Sequence, residues 1–128
     1  MQEILDTKKE FSFVKHVRSF THAGRGIWIF FKTTPNTWIH MGILSGAIAL
    51  GAYFSITATE WMFLVFAGGF VFVAEAFNTA IEIDINLTSP EYHPYAKDTK
   101  DVAAGAVLLA SLTALIIGIF IFIPYLHV

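Results

Sequence analysis

Residues 61–86 read WMFLVFAGGFVFVAEAFNTAIEIDIN. Fourteen apolar or small residues precede the first charge, Glu75, and Asn78 and Glu82 follow it. The spacing 75, 78, 82 is i, i+3, i+7, which puts all three on one face of a helix. A carboxylate inside a bilayer costs on the order of 2.5 kcal/mol or more, and such residues face a protein interior or a hydrated cavity. One interhelical Asn–Glu hydrogen bond is an ordinary packing device. Three aligned polar residues near one end of an apolar helix are better read as a functional face.

The surroundings make this helix one of three membrane spans. Residues 33–59 and 102–128 are two stretches of 27 positions without Asp, Glu, Lys or Arg, and about 20 apolar residues suffice to cross the hydrocarbon. With 55% hydrophobic and only 14% charged residues, against the ~25% usual in a soluble domain, a small water-soluble globule is excluded. A net charge of −2 with no separate basic stripe excludes a nucleic-acid binder. The absence of cysteine excludes disulfides, a thiolate nucleophile and Cys-based metal sites. The reading is an all-α membrane protein, with transmembrane helices over 37–56, 61–85 and 102–126 in a single domain, 1–128. Pro35 and Asn36 form the turn into the first span, 57–60 a short return, and 86–101 a polar loop with two prolines. A bundle this small has little interior, so the chain is expected to oligomerise.

The N-terminal part differs. Residues 1–9 are polar, lack the apolar core and cleavage site of a signal peptide, and are expected to fray. In residues 10–33, apolar Phe11, Val14, Val17, Phe20, Ile27, Phe30 and Phe31 are interrupted by Lys15, Arg18, Arg25 and Lys32. An aromatic stripe beside cations suits an amphipathic helix lying in the membrane interface, with Gly24 and Gly26 weakening it. Six of the eight Lys/Arg residues lie in positions 1–32, and the other two are Lys97 and Lys100. In a three-span topology both groups fall on one side, which the positive-inside rule makes cytoplasmic. The N-terminus and the polar end of residues 75–101 then face the compartment that holds ATP and magnesium.

Small residues, among them Gly68, Gly69, Ala74, Ala76 and Ala80 in the second span and 103–106 (AAGA) in the third, allow close helix approach. Lys100 and Asp101 at the start of the third span can then face the carboxylates at the end of the second. This set suits phosphoryl transfer, which needs a divalent cation, a positive charge on the transferring group and a base for the attacking hydroxyl. Glu82, nearer the aqueous boundary, suits a metal ligand; Glu75, deeper, suits the base; Lys100 suits a phosphate contact. The chain has no Walker loop and no soluble-kinase signature.

Three stretches, FTHAGRGI (20–27), EAFNTAIE (75–82) and SPEYHPYAKDTKDVAAGAV (89–107), resemble the small integral-membrane diacylglycerol kinase/undecaprenol kinase family of bacteria, over about residues 10–126. The resemblance implies a homotrimer of three-span protomers in the cytoplasmic (inner) membrane, with composite active sites at the cytoplasmic interface completed by the N-terminal helix. It implies an ATP- and Mg2+-dependent lipid kinase with Glu75 as catalytic base, Asn78 as a polar site residue and Glu82 as the metal ligand. By the same resemblance Glu91, Tyr92 and His93 lie along the nucleotide, Lys100 and Asp101 contact phosphates or ribose, and Lys15 and His22 approach the nucleotide from the first helix. Lys97 and Asp98 are expected in a solvated turn. The lipid implied is undecaprenol or diacylglycerol, and the stretch HPYAKDTKDVAAGAV (93–107), which resembles the version common in Gram-positive undecaprenol kinases, favours undecaprenol.

The chain departs from the family at two positions. A second metal-binding carboxylate commonly follows the surface helix; here residues 32–35 are KTTP and Thr34 takes its place. Asn86 stands where a carboxylate often follows the second span. Two other functions compete with the lipid kinase: a non-catalytic membrane protein of the same fold with an impaired metal site, and an ion-coupled small membrane protein using Glu75. The latter needs a continuous polar path, and the first span offers only His40 and Ser45, the third mainly Ser111 and Thr113.

Overall fold

The computed structural model describes residues 1–127, and the side chains of all of these but 5–11. It has four helices, α1 (Gln2–Thr33), α2 (Pro35–Phe54), α3 (Ala58–Thr88) and α4 (Pro94–Leu126), and no strand among the described residues. Two compact units result, α1 in one and α2–α4 in the other. The helices α2, α3 and α4 are each long and apolar enough to cross a membrane.

α1 begins at Gln2, so the segment expected to fray is helical, and the helix runs through Gly24 and Gly26 without a break. Phe13, Val14, Val17 and Phe20 are exposed on it. One helical turn apart, the Lys32 ammonium lies 4.7 Å from the centre of the Trp28 ring, a cation–π pair.

All three spans start earlier than their apolar runs. α2 opens with Pro35 in its first turn, where proline's fixed φ suits the helix and its missing N–H is not needed. It ends on Ser55 in the left-handed region (φ 52°), whose N–H bonds to the Ala52 carbonyl at 3.3 Å, and Ile56 N bonds to Gly51 O at 3.1 Å. The expected 57–60 linker is the start of α3. There Thr57 and Glu60 form a capping box, with Glu60 N on Thr57 Oγ1 at 3.2 Å and Thr57 N on Glu60 Oε2 at 2.8 Å. The largest difference lies in the expected 86–101 loop. α3 continues to Thr88, and α4 begins at Pro94, capped by His93, whose Nδ1 accepts from Tyr95 N at 3.2 Å. Hydropathy marks only the part of a helix inside the hydrocarbon; caps and prolines decide where it starts. Pro124 is accommodated inside α4, two residues from its end.

The bundle is closed at the end remote from Glu75. Ile56, Leu64 and Ile121 are buried there with Phe54, Trp61, Phe122 and Tyr125 packed around them. Tyr125 donates its hydroxyl to Glu60 Oε2 at 2.6 Å and stacks on Phe54 with ring centres 5.6 Å apart. Small residues set the helix spacing. A Cβ on Gly68 of α3 would stand 2.7 Å from Leu44 Cδ1 of α2, and one on Gly51 would stand 2.9 Å from Trp61 Cη2. Ala103 and Ala110 of α4 are buried. Large side chains such as Phe63, Phe66, Phe70 and Phe77 are exposed, and so many apolar faces outside a core are stable only in lipid or against another chain.

Helix lengths position the site. The Thr34 side chain, at the start of α2, bonds to Thr79 of α3, so α3 continues nine residues past that level, roughly 14 Å at 1.5 Å per residue. The first turns of α4 rise beside it. The α3–α4 hairpin therefore stands out beyond the start of α2 and carries Glu82, Asn86, Lys100 and Asp101.

Candidate functional site

Two layers of polar groups link α2 to α3. In the deeper one, Glu75 is 2% exposed and its Oε1 lies 3.0 Å from His40 Nε2. In the outer one, Thr34 and Thr79 share a hydroxyl–hydroxyl bond of 2.7 Å. Thr34 has extended backbone and makes no cap bond to α2, because its hydroxyl is turned to α3. Thr37 is fully buried; its Oγ1 and Asn78 Oδ1 are buried with no partner among the described residues. Buried oxygens of this kind are normally satisfied, which marks this level of the α2–α3 seam as a place for a further polar group.

Beyond this seam the residues are open to solvent. Glu82, two turns along from Glu75, is exposed. Lys100 donates to Asn86 Oδ1 at 2.7 Å, tying the start of α4 to the end of α3. Asp101 is bonded to Lys97 at 2.6 Å, an i,i+4 pair on α4 in place of the expected solvated turn. Glu91 and Tyr92 are exposed between the helices; the Glu91 carbonyl accepts from Ser89 Oγ at 3.4 Å. His93, in addition to capping α4, lies against Tyr95 with ring centres 5.5 Å apart. Lys15 and His22 are exposed on α1.

The fold thus brings Glu75, Asn78 and Glu82 onto one face of α3 and sets Lys100 across from Asn86. It does not draw Glu91, Tyr92 and His93 into contact with those carboxylates. Among the described residues no three His, Asp or Glu side chains converge to hold a metal ion. A lone exposed carboxylate such as Glu82 nevertheless fits magnesium carried on a nucleotide, since that ion keeps several waters and commonly takes one or two protein carboxylates.

An apolar cavity of about 680 Å³ runs between α2, α3 and α4, lined by Leu44, Ala67, Val71, Phe72, Leu115 and Phe122 among others. Its lining is polar only at His40 and Ser111. The sequence reading named His40 and Asn86 without giving either of them a partner, and left Thr79 unremarked. A histidine within 27 uncharged positions was a legible signal, since ionisable residues in spans are seldom idle; Thr79 and the pairing of Asn86 follow from helix register alone.

Three apolar helices with a carboxylate face at one end of their bundle place ionisable groups where lipid meets water. Residues 21–122 match the prokaryotic diacylglycerol kinase family, and the chain belongs to that family of lipid kinases. It is 39% identical over 109 residues to the undecaprenol kinase of Bacillus subtilis (strain 168), covering 85% of this chain and 89% of that one. It is 36% identical over 107 residues to the diacylglycerol kinase of Synechocystis sp. (strain ATCC 27184 / PCC 6803 / Kazusa), covering 83% of this chain and 61% of the other. A diacylglycerol kinase of Helicobacter pylori (strain ATCC 700392 / 26695) is 36% identical over 62 residues, 48% of each chain. The protein is accordingly a multi-pass membrane lipid kinase.

Proposed function

We propose that the protein transfers the γ-phosphate of ATP, with magnesium, to the hydroxyl of undecaprenol in preference to diacylglycerol. The observation that carries this reading is the arrangement on α3: a buried carboxylate, Glu75, behind the polar end of an apolar cavity, with exposed Glu82 two turns nearer the aqueous end. The preference for undecaprenol rests on the match to the B. subtilis enzyme, which covers most of both chains.

In this mechanism the lipid hydroxyl oxygen forms a bond to the γ-phosphorus while the bond from that phosphorus to the β–γ bridging oxygen breaks, releasing ADP. Glu75 takes the hydroxyl proton as the general base. Glu82 would hold magnesium together with the nucleotide, and the ion when bound would neutralise charge on the phosphates. Lys100 and Asp101 meet phosphate or ribose, with Lys100 giving up Asn86 to do so. Glu91, Tyr92 and His93 border the nucleotide, Asn78 orients a polar group of the substrate, and Lys15 and His22 of α1, an interfacial helix, are nucleotide contacts as well.

Residues 1–128 form one kinase domain, and the site is composite in a homotrimer in the bacterial cytoplasmic membrane. Exposed apolar faces on α2–α4 and the exposure of Glu82, Glu91, Tyr92 and Asp101 support a neighbouring chain's contribution. Lys97 and Lys100 stand at the same end of the bundle as the start of α2, which the other six Lys/Arg residues precede; this supports a cytoplasmic active site and N-terminus.

The test is phosphorylation in mixed micelles with ATP and magnesium, comparing undecaprenol with diacylglycerol at equal mole fraction. At least tenfold higher kcat/KM for undecaprenol is expected. Preference for diacylglycerol overturns the choice of lipid, and transfer to neither makes Thr34 the mark of a disabled metal site.

A further inference from the structure

The geometry points to His40 as the residue that positions Glu75 for catalysis, an inference that rests on Glu75 being the base. Glu75 is almost wholly buried, and its Oε1 lies 3.0 Å from His40 Nε2. His40 is a quarter exposed and lines the apolar cavity, whereas Glu75 does not. The imidazole therefore stands between the cavity and the carboxylate and fixes one carboxylate oxygen, while Oε2 is not engaged by it.

Among the described residues of α2–α4, no other titratable or charged group is level with Glu75. The antiparallel register of α3 and α4, set by Lys100–Asn86 at one end and Tyr125–Glu60 at the other, brings Ala110 and Ser111 level with Glu75. Neither is titratable or charged. On α3 itself the next carboxylate is Glu82, two turns away, and α2 has no charged residue and no histidine other than His40. A carboxylate on a flexible side chain, held from one direction only, loses its orientation when that contact goes. A misplacement of about 1 Å in a reacting group can cost on the order of 10²-fold in rate.

Four variants of the full-length protein test this in detergent with undecaprenol or diacylglycerol, whichever is turned over: His40→Phe, His40→Gln, Glu75→Gln and the double variant His40→Phe with Glu75→Gln. Phenylalanine keeps the ring volume and loses the donor; the glutamine amide reaches about as far as Nε2 and restores it. His40→Phe is expected to lower kcat by about 10–100-fold with KM for MgATP changed less than about twofold. His40→Gln is expected to recover to within a few-fold of the parent, and the double variant to be no slower than Glu75→Gln, because residues acting through one contact are not additive. Should His40→Phe fail to fold, His40→Asn, whose amide is too short to reach Oε1, takes its place. Normal turnover in His40→Phe overturns the inference. So does His40→Gln as slow as His40→Phe, and so does an additive double variant. Near-normal turnover in Glu75→Gln overturns instead the assignment of Glu75 as base, whatever His40 does.

Discussion

Thr34 Oγ1 and Thr79 Oγ1 lie 2.7 Å apart, so Thr34 at the start of α2 is bonded to the face of α3 that also carries Glu75. A hydroxyl pair holds two helices together with no charge between them. Thr34→Val should leave the Thr79 hydroxyl half-satisfied and cost about 1–2 kcal/mol of stability, read as a lower melting temperature in detergent. Thr34→Glu should let Thr79 donate to a carboxylate and lower the magnesium concentration for half-maximal activity several-fold, since a divalent ion readily accepts an added oxygen. An unchanged magnesium requirement would mean that the metal is held without this position.

Lys100 is engaged by the neutral side chain of Asn86, a partner it can exchange for phosphate. Asn86→Asp gives the ammonium a charged competitor. The expected outcome is a several-fold rise in KM for MgATP with little change in kcat, while Lys100→Met should raise KM further. Initial-rate kinetics against ATP at saturating lipid separate these effects, and unaltered KM in both would remove Lys100 from the nucleotide site.

Glu75 and Glu82 should respond differently to the same change. Glu75→Gln removes a base, which costs 10²–10⁴-fold in turnover, about 3–5 kcal/mol of barrier, with nucleotide affinity nearly intact. Glu82→Gln should weaken MgATP binding, because a metal ligand acts before the transition state as well. Melting of Glu75→Gln should lie at or below that of the parent, since the amide can still hydrogen-bond to His40 but one partner of a buried pair has been replaced. Equal kinetic effects of the two substitutions would refute the division of roles.

Single cysteines can be placed freely in a chain that has none. Thr59, in the first turn of α3, and Thr88, its last residue, are both exposed. A membrane-impermeant thiol reagent applied to intact cells should label Thr59→Cys, and Thr88→Cys only after the membrane is opened. Labelling of both from outside would exclude the three-span arrangement.

Much of this was legible in the sequence, for identifiable reasons. The spans show because hydrocarbon tolerates so few charges, and the 75–78–82 face shows because helical periodicity is local. Helix starts were less legible. Residues 94–101 read as loop because they are polar and begin with proline, yet Pro94 suits a first turn and His93 caps it. The contacts of the site were hidden for a different reason. That His40 meets Glu75, Thr34 meets Thr79 and Lys100 meets Asn86 depends on how two helices slide past one another, and no spacing within one helix encodes it.

The cavity between α2, α3 and α4 is walled almost entirely by hydrocarbon side chains and reaches His40 without passing a charged residue. A lipid that approaches by this route never enters water, so bulk molarity does not describe its supply. What the enzyme meets is a surface density, the fraction of neighbouring molecules in the leaflet that carry the right hydroxyl. Diluting a micelle or vesicle with inert lipid would starve it, whereas diluting the same particles with buffer would leave the lipid side of its kinetics untouched.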